Sequence, residues 1–204
     1  FVRYADGSMI FCKSKRAAMR VKESVTRFIE NVLYLKVNNE KTIVSYVRGV
    51  KYLGYSFYVM KGKCQFMVHP KSKSKMKSKL KELTSRSNGW GYAKRKQKLK
   101  EYIRGWVGYY HLANMKRFLL DTDEWLRRRI RMCIWKAWKK VGTKVANLIR
   151  CGIDKYKAYE WGNTRKGYWR VADSPILTRA IDNNRLRSAG YATLMGSYLE
   201  WYPK

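Results

Sequence analysis

A net charge of +32, from 46 lysines and arginines against 14 aspartates and glutamates, constrains every fold open to this chain. A compact body with that excess repels itself unless a polyanion lies close by, and nucleic acid is the first candidate. An ordinary neutral enzyme working alone is excluded. So is a disordered basic tail, because 46% of the residues are hydrophobic and 15% aromatic, enough to build a core. Two hundred and four residues admit one or two domains.

The excess is uneven. Residues 1–69 carry 13 basic and 4 acidic side chains (net +9), residues 70–140 carry 22 and 5 (+17), and residues 141–204 carry 11 and 5 (+6). The uncharged runs Tyr52–Met60, Gly105–Met115 and Ser188–Leu199 fall far short of the ~20 apolar residues that span a bilayer, so no membrane partner is expected. No secretory signal opens the chain; it begins Phe-Val-Arg-Tyr-Ala, which reads as the interior of a strand and suggests the C-terminal part of a longer protein. Cys12, Cys64, Cys133 and Cys151 are scattered, with only His69 and His111 to join them. That spacing supports neither a zinc site nor a disulfide framework, and buried free thiols in a reducing compartment are expected.

Periodicity divides the chain into an α+β part and a helical part. Asp6-Gly7 reads as a hairpin turn between Phe1–Ala5 and Ser8–Cys12. Apolar positions from Ala17 to Leu33 recur at helical spacing from about Ser14. Strand-like segments follow at Leu35–Asn38, Ile43–Val47, Val50–Tyr58 and Gln65–Val68, and Pro70 closes this part. Beyond it, three amphipathic helices are predicted. Met76, Leu80 and Leu83 mark the first, Leu99, Ile103, Trp106 and Tyr110 the second, and Leu126, Ile130 and Ile134 the third; together they suggest a small bundle. After Gly142 shorter helices are expected around Lys144–Cys151, Ile176–Ile181 and Ala192–Glu200.

Residues 71–81 alternate lysine with small or apolar residues. On a helix, Lys73, Lys77 and Lys81 form one ridge and Lys71, Lys75 and Lys79 another, and two rows of ammonium groups suit a phosphate backbone. Arg104-Gly-Trp-Val-Gly-Tyr-Tyr-His follows; its aromatics have core spacing, Gly105 and Gly108 suggest close approach of another element, and Arg104 is the candidate for RNA contact. Arg127, Arg128 and Arg131 lie off the stripe of their helix and are expected to face solvent or RNA, whereas Trp106 is expected to fill the core.

Tyr4-Ala5-Asp6-Gly7, Leu35-Lys-Val-Asn-Asn-Glu-Lys-Thr, Lys51-Tyr-Leu-Gly-Tyr, Arg104-Gly-Trp-Val-Gly-Tyr-Tyr and Arg129-Ile-Arg-Met-Cys-Ile-Trp-Lys-Ala-Trp-Lys occur in that order. On these motifs the chain resembles the C-terminal half of a bacterial group II intron reverse transcriptase/maturase, over nearly its whole length. The resemblance implies an α+β fold: the distal part of a polymerase palm at 1–69, a helical thumb/maturase domain at 70–140, and a C-terminal helical extension at 141–204 that is a possible DNA-binding segment. It implies nucleotidyl transfer with Mg²⁺, in which Asp6 is a metal ligand, Lys41 lies near the leaving pyrophosphate, and Tyr52, Leu53 and Gly54 form a primer grip. Implied partners are group II intron RNA, a template–primer RNA/DNA duplex and, in the full-length context, a DNA target. The implied location is the bacterial cytoplasm.

The chain departs from that family where Gly7 replaces the second aspartate of the polymerase motif, and no fingers or proximal palm precede it. One carboxylate does not hold two Mg²⁺ ions, so the chain alone is expected not to polymerise DNA. The competing reading is a stand-alone RNA-binding maturase fragment whose polymerase motif has decayed. A generic scaffold for ribosomal RNA is weaker, because it leaves the order of the motifs unexplained.

Overall fold

A computed structural model describes residues 1–5 and 7–201. The fold is α+β, with small sheets early in the chain and a helical bundle after them. The chain separates into two compact units, one of residues 1–52 and 56–64, the other of residues 53–55 with the chain from Gln65 onward.

In the first unit, β1 (Val2–Tyr4) and β2 (Gly7–Met9) pair antiparallel with Tyr4 opposite Gly7. Gly7 is therefore a strand residue and not half of the expected turn; the left-handed conformation falls on Ala5 (φ 52°). Helix α1 (Lys15–Asn31) starts where Ser14 Oγ accepts from the Ala17 amide at 3.2 Å. None of its side chains is buried, and Phe28, Val32 and Leu33 are about half exposed. The strands expected at Leu35–Asn38 and Ile43–Val47 are absent from the described residues. Asn38 closes its own turn instead: its side chain accepts from the Lys41 amide at 3.1 Å and its carbonyl from Thr42.

Strands β3 (Lys51–Tyr52), β4 (Tyr55–Met60) and β5 (Lys63–Val68) form a sheet in that order. The single strand expected over Val50–Tyr58 is broken at Leu53-Gly54 (φ 49° and 80°), and Lys61-Gly62 (49° and 72°) makes the second turn. Two consecutive positive φ angles are the signature of the tight hairpin turn that matches strand twist.

The second unit holds the core. His69 Nδ1 accepts from the Lys71 amide at 3.1 Å and Pro70 occupies the first helical position, so α2 (Pro70–Leu83) starts sharply. Its buried side chains are Ser72, Met76, Leu80 and Leu83. They pack with Leu99, Ile103 and Val107 of α3 (Tyr92–Tyr110) and Leu119, Leu126 and Ile130 of α4 (Lys116–Ala137). Each buried aliphatic side chain contributes about 2 kcal/mol, and these join one core with buried residues of the C-terminal helices such as Leu148, Leu177 and Leu194.

A second set of helices follows. It consists of α5 (Val141–Arg150), α6 (Lys155–Gly162), α7 (Tyr168–Val171), α8 (Pro175–Ala180), α9 (Asn183–Ser188) and α10 (Leu194–Trp201); α6, α7 and α9 are additional to the helices expected. Within this set, α7 packs on α4 and α10 on both α3 and α4. Gly162 lets α6 approach α5, since a Cβ there would sit 2.7 Å from Val145 Cγ2. Gly108 faces the Trp201 ring, whereas Gly105, also expected to admit a neighbour, faces open space. The Asp123 carboxylate of α4 accepts from the amides of Leu194 (2.8 Å) and Met195 (2.9 Å), fixing the start of α10.

Candidate nucleic-acid interface

A chain this poor in carboxylates has few ion pairs to make. Among the described residues there are three: Lys79–Glu82, Lys98–Glu101 and Arg128–Asp173. The buried and half-buried cations find backbone carbonyls instead, mostly at helix C-termini, where the last carbonyls lack intrahelical donors and the dipole is negative.

Arg129 donates from Nε to Thr84 Oγ1 (2.6 Å) and from Nη2 to the Lys81 and Thr84 carbonyls (3.0 Å each), capping α2. Arg131 caps α8 through Ile181 O (2.7 Å). Arg185 bridges the ends of α5 and α8 through Cys151 O (2.7 Å) and Ala180 O (2.9 Å). Lys96 reaches Ala189 O at the end of α9 (2.9 Å).

This sorting separates the candidate RNA contacts from the structural cations. Arg131 is only 8% exposed and also donates to Asn183 Oδ1 (2.9 Å), so it does not face solvent as expected. Arg128 lies 3.9 Å over the Trp169 ring, donates to its carbonyl and pairs with Asp173 at 3.0 Å. Its charge is largely committed. Arg127 is half-buried and makes no hydrogen bond or ion pair among the described residues, while Arg104 is exposed on α3.

The lysines of α2 behave differently. Its apolar stripe turns Lys71, Lys75, Lys77, Lys79 and Lys81 outward, all exposed. Lys73 is half-buried, and Lys73 and Lys77 hold their ammonium groups 4.9 and 5.6 Å from the Phe118 ring centre. Burial, and then the neighbouring Lys77 charge, lowers the pKa of Lys73. Lys79 is paired with Glu82 at 2.7 Å; Lys71, Lys75 and Lys81 have no ion-pair partner among the described residues. Unneutralised ammonium groups on one rigid helix favour a polyanion that releases counterions on binding.

Beside the start of α2 lies an aromatic cluster. Trp106, expected to fill the core, is half-buried with its ring 4.6 Å from Tyr110 and 6.5 Å from Phe118. Tyr109 Oη donates to Leu53 O at 2.9 Å, and Tyr55 Oη donates to Tyr109 O. Burial, then the neighbouring Tyr109 and Tyr110, push the Tyr55 hydroxyl up to about 12. The Lys51-Tyr-Leu-Gly-Tyr and Arg104-Gly-Trp-Val-Gly-Tyr-Tyr motifs thus meet through Leu53, Tyr55 and Tyr109.

The polymerase-type residues are less fully described. Asp6 lies outside the described residues. Lys41 is an exposed turn residue, and Tyr52 carries a buried hydroxyl without a hydrogen-bond partner. Among the described residues no three of His, Cys, Asp and Glu gather to hold a metal. No helix among them is long and apolar enough to cross a membrane. Of the cysteines, Cys133 is buried as expected and donates to Thr84 O, Cys151 is half-buried, and Cys12 and Cys64 are exposed.

Comparison with known families matches residues 73–152 to the group II intron, maturase-specific domain. No curated protein matches the chain. The matched segment begins inside the lysine helix, contains all of α3 and α4, and ends just after α5. The most basic, helical part of the chain and the match to the group II intron, maturase-specific domain thus coincide, which supports a maturase role in group II intron splicing and group II intron RNA as a partner.

Proposed function

We propose that the chain is the distal palm, thumb and maturase region of a group II intron-encoded reverse transcriptase, which grips folded intron RNA for splicing and a template–primer duplex for RNA-directed DNA synthesis. The observation that carries this reading is the outward lysine face of α2, within or beside the matched segment, where Lys71, Lys75 and Lys81 have no ion-pair partner among the described residues. Folded and duplex RNA offer the phosphate arrays such a face suits, largely through shape and backbone rather than base edges. The polymerase part rests on the resemblance of Tyr4-Ala5-Asp6 and Lys51-Tyr-Leu-Gly-Tyr, with Asp6 and Lys41 in catalytic roles and Leu53-Gly54 at the primer.

Gly7 favours a second reading, a maturase that binds RNA and never polymerises, because it removes a carboxylate from the motif. The two separate on the substrates bound. A filter-binding titration of the chain with a folded group II intron RNA and with an RNA/DNA template–primer tests both. Tight, salt-sensitive binding of both supports the first reading, and binding of the intron RNA alone supports the second. Binding of neither overturns both.

A further inference from the structure

The short helix α7 is anchored by its far end. Val171 and the following Ala172 are fully buried, and Trp169 offers its carbonyl to Arg128 of α4 at 3.1 Å. Tyr168 and Trp169 nevertheless stay 39% and 38% exposed. Each ring carries a guanidinium: Arg86 lies 5.1 Å from the Tyr168 ring centre, and Arg128 3.9 Å from that of Trp169. Both arginines are themselves tied to the fold. The Arg86 carbonyl accepts from Lys136 Nζ of α4 at 2.9 Å, and Arg128 pairs with Asp173. The rings are thus fixed without being buried.

A guanidinium stacked on one face leaves a ring its other face. Among the described residues neither ring meets another aromatic ring, and neither the Tyr168 hydroxyl nor the Trp169 indole N–H has a hydrogen-bond partner. Exposed Arg165, Lys166 and Arg170 flank the pair in sequence, and residues 163–172 contain no carboxylate. Open aromatic faces among cations suit a flat ring joined to a phosphate, which is a nucleotide whose base is unpaired. A duplex keeps its base faces inside its own stack and would offer this surface phosphates alone. Since α7 packs on α4, inside the segment matched to the maturase-specific domain, RNA fits the site better than an acidic protein surface.

We propose that Tyr168 and Trp169 form a stacking platform for unpaired bases of the intron RNA, beside residues 73–152 and outside them. This rests on the RNA-binding reading above. It adds recognition of unpaired bases, which phosphate contact by lysines does not supply.

The test uses a short RNA duplex with a 3′ overhang made either of adenosines or of abasic residues, which keep the phosphates and lose the bases. A folded group II intron RNA is titrated alongside, and a circular dichroism melt accompanies each variant. The unaltered chain should bind the adenosine overhang about fivefold or more tighter than the abasic one, the lower end of what one base–aromatic stack supplies. Tyr168→Leu combined with Trp169→Leu should abolish that preference, leave the abasic affinity unchanged and weaken binding of the intron RNA. Trp169→Phe, which keeps a ring, should retain most of the preference. Failure of the unaltered chain to bind the intron RNA overturns the RNA reading and the platform with it. Intron binding without a preference for adenosine overturns the platform alone, as does a preference that survives in the folded double variant. A preference lost while intron affinity stays unchanged overturns the assignment to intron RNA. If the double variant is unfolded, Trp169→Leu by itself gives the same decision.

Discussion

Arg131, in the middle of α4, donates its Nε hydrogen to the carbonyl of Ile181 at 2.7 Å and so closes the C-terminal end of α8. A residue that looks like a surface cation on a helical wheel is a packing residue in the fold. With carboxylates scarce, α-helix ends supply the negative partners that buried guanidinium groups require.

Arg131→Ala should therefore destabilise the protein by about 3 kcal/mol, because it strands the Ile181 carbonyl and the Asn183 side chain without a charged donor. Arg131→Lys should recover only part of that, since one ammonium does not reproduce the fork. Arg127→Ala should cost under about 1 kcal/mol. Chemical denaturation of the three variants checks the order; equal losses at 127 and 131 would refute it.

The helical wheel misplaces Arg131 for a definite reason. The stripe of Leu126, Ile130 and Ile134 is legible as an apolar face, but Leu126 and Ile130 line a cavity with Asn183, Leu186 and Tyr191 of the C-terminal segment, while Arg129 and Cys133 meet the end of α2. Asp123 shares that face and Arg131 lies next to it, so both are buried under the C-terminal helices, which no apolar pattern reveals. The lysine helix is legible in full, from Pro70 at its start to its buried Met76, Leu80 and Leu83. At Asp6-Gly7 the dipeptide rule picks the wrong residue pair because Gly7 pairs with Tyr4 as a strand residue. The capping role of Arg129 leaves no local signal at all, since its partners Lys81 and Thr84 lie more than 40 residues earlier.

Burial holds the Asp123 carboxyl above the usual carboxylate range, only partly offset by the Met195 and Leu194 amides and Arg127. A folded-state pKa above the unfolded one means the native state binds more protons between the two values. Asp123 then contributes most at pH below its unfolded pKa, and that contribution is lost as pH rises through the folded pKa. Stability measured from about pH 3.5 upward should carry this negative slope, and Asp123→Asn should lack it. A slope unchanged in the Asn variant would show that Asp123 is not its source.

Gly54 and Tyr110 should be coupled. Gly54→Ala forces a side chain into a left-handed conformation (φ 80°) and against Tyr110 Oη, at a cost of about 1–3 kcal/mol. Tyr110→Phe removes the oxygen in the way. A double-mutant cycle by denaturation should show the pair less destabilised than the sum of the single variants by at least about 0.5 kcal/mol. Strict additivity would mean that the backbone at Gly54 does not rest on that hydroxyl.

Gly7→Asp should fold normally, because a Cβ at this strand position meets only the Tyr4 carbonyl, at 3.5 Å. It should not produce DNA synthesis in the 204-residue chain, since the two-metal reaction that the resemblance implies needs a further metal-binding aspartate besides Asp6 and position 7. A melting curve and a primer-extension assay on the purified variant check the two halves. Extension above a Gly7 control would refute the second.

In the proposed function the lysine face of α2 holds group II intron RNA by its phosphates, and the salt dependence of affinity reads this most directly. The comparison is between the unaltered chain and Lys71→Gln, Lys75→Gln and Lys81→Gln combined. These side chains are exposed, so the melting temperature should barely move. The slope of log affinity against log salt should fall in magnitude by about 2–3, close to 0.9 for each phosphate that is no longer neutralised. An unchanged slope in the folded triple variant would place the RNA elsewhere on the molecule and contradict the account.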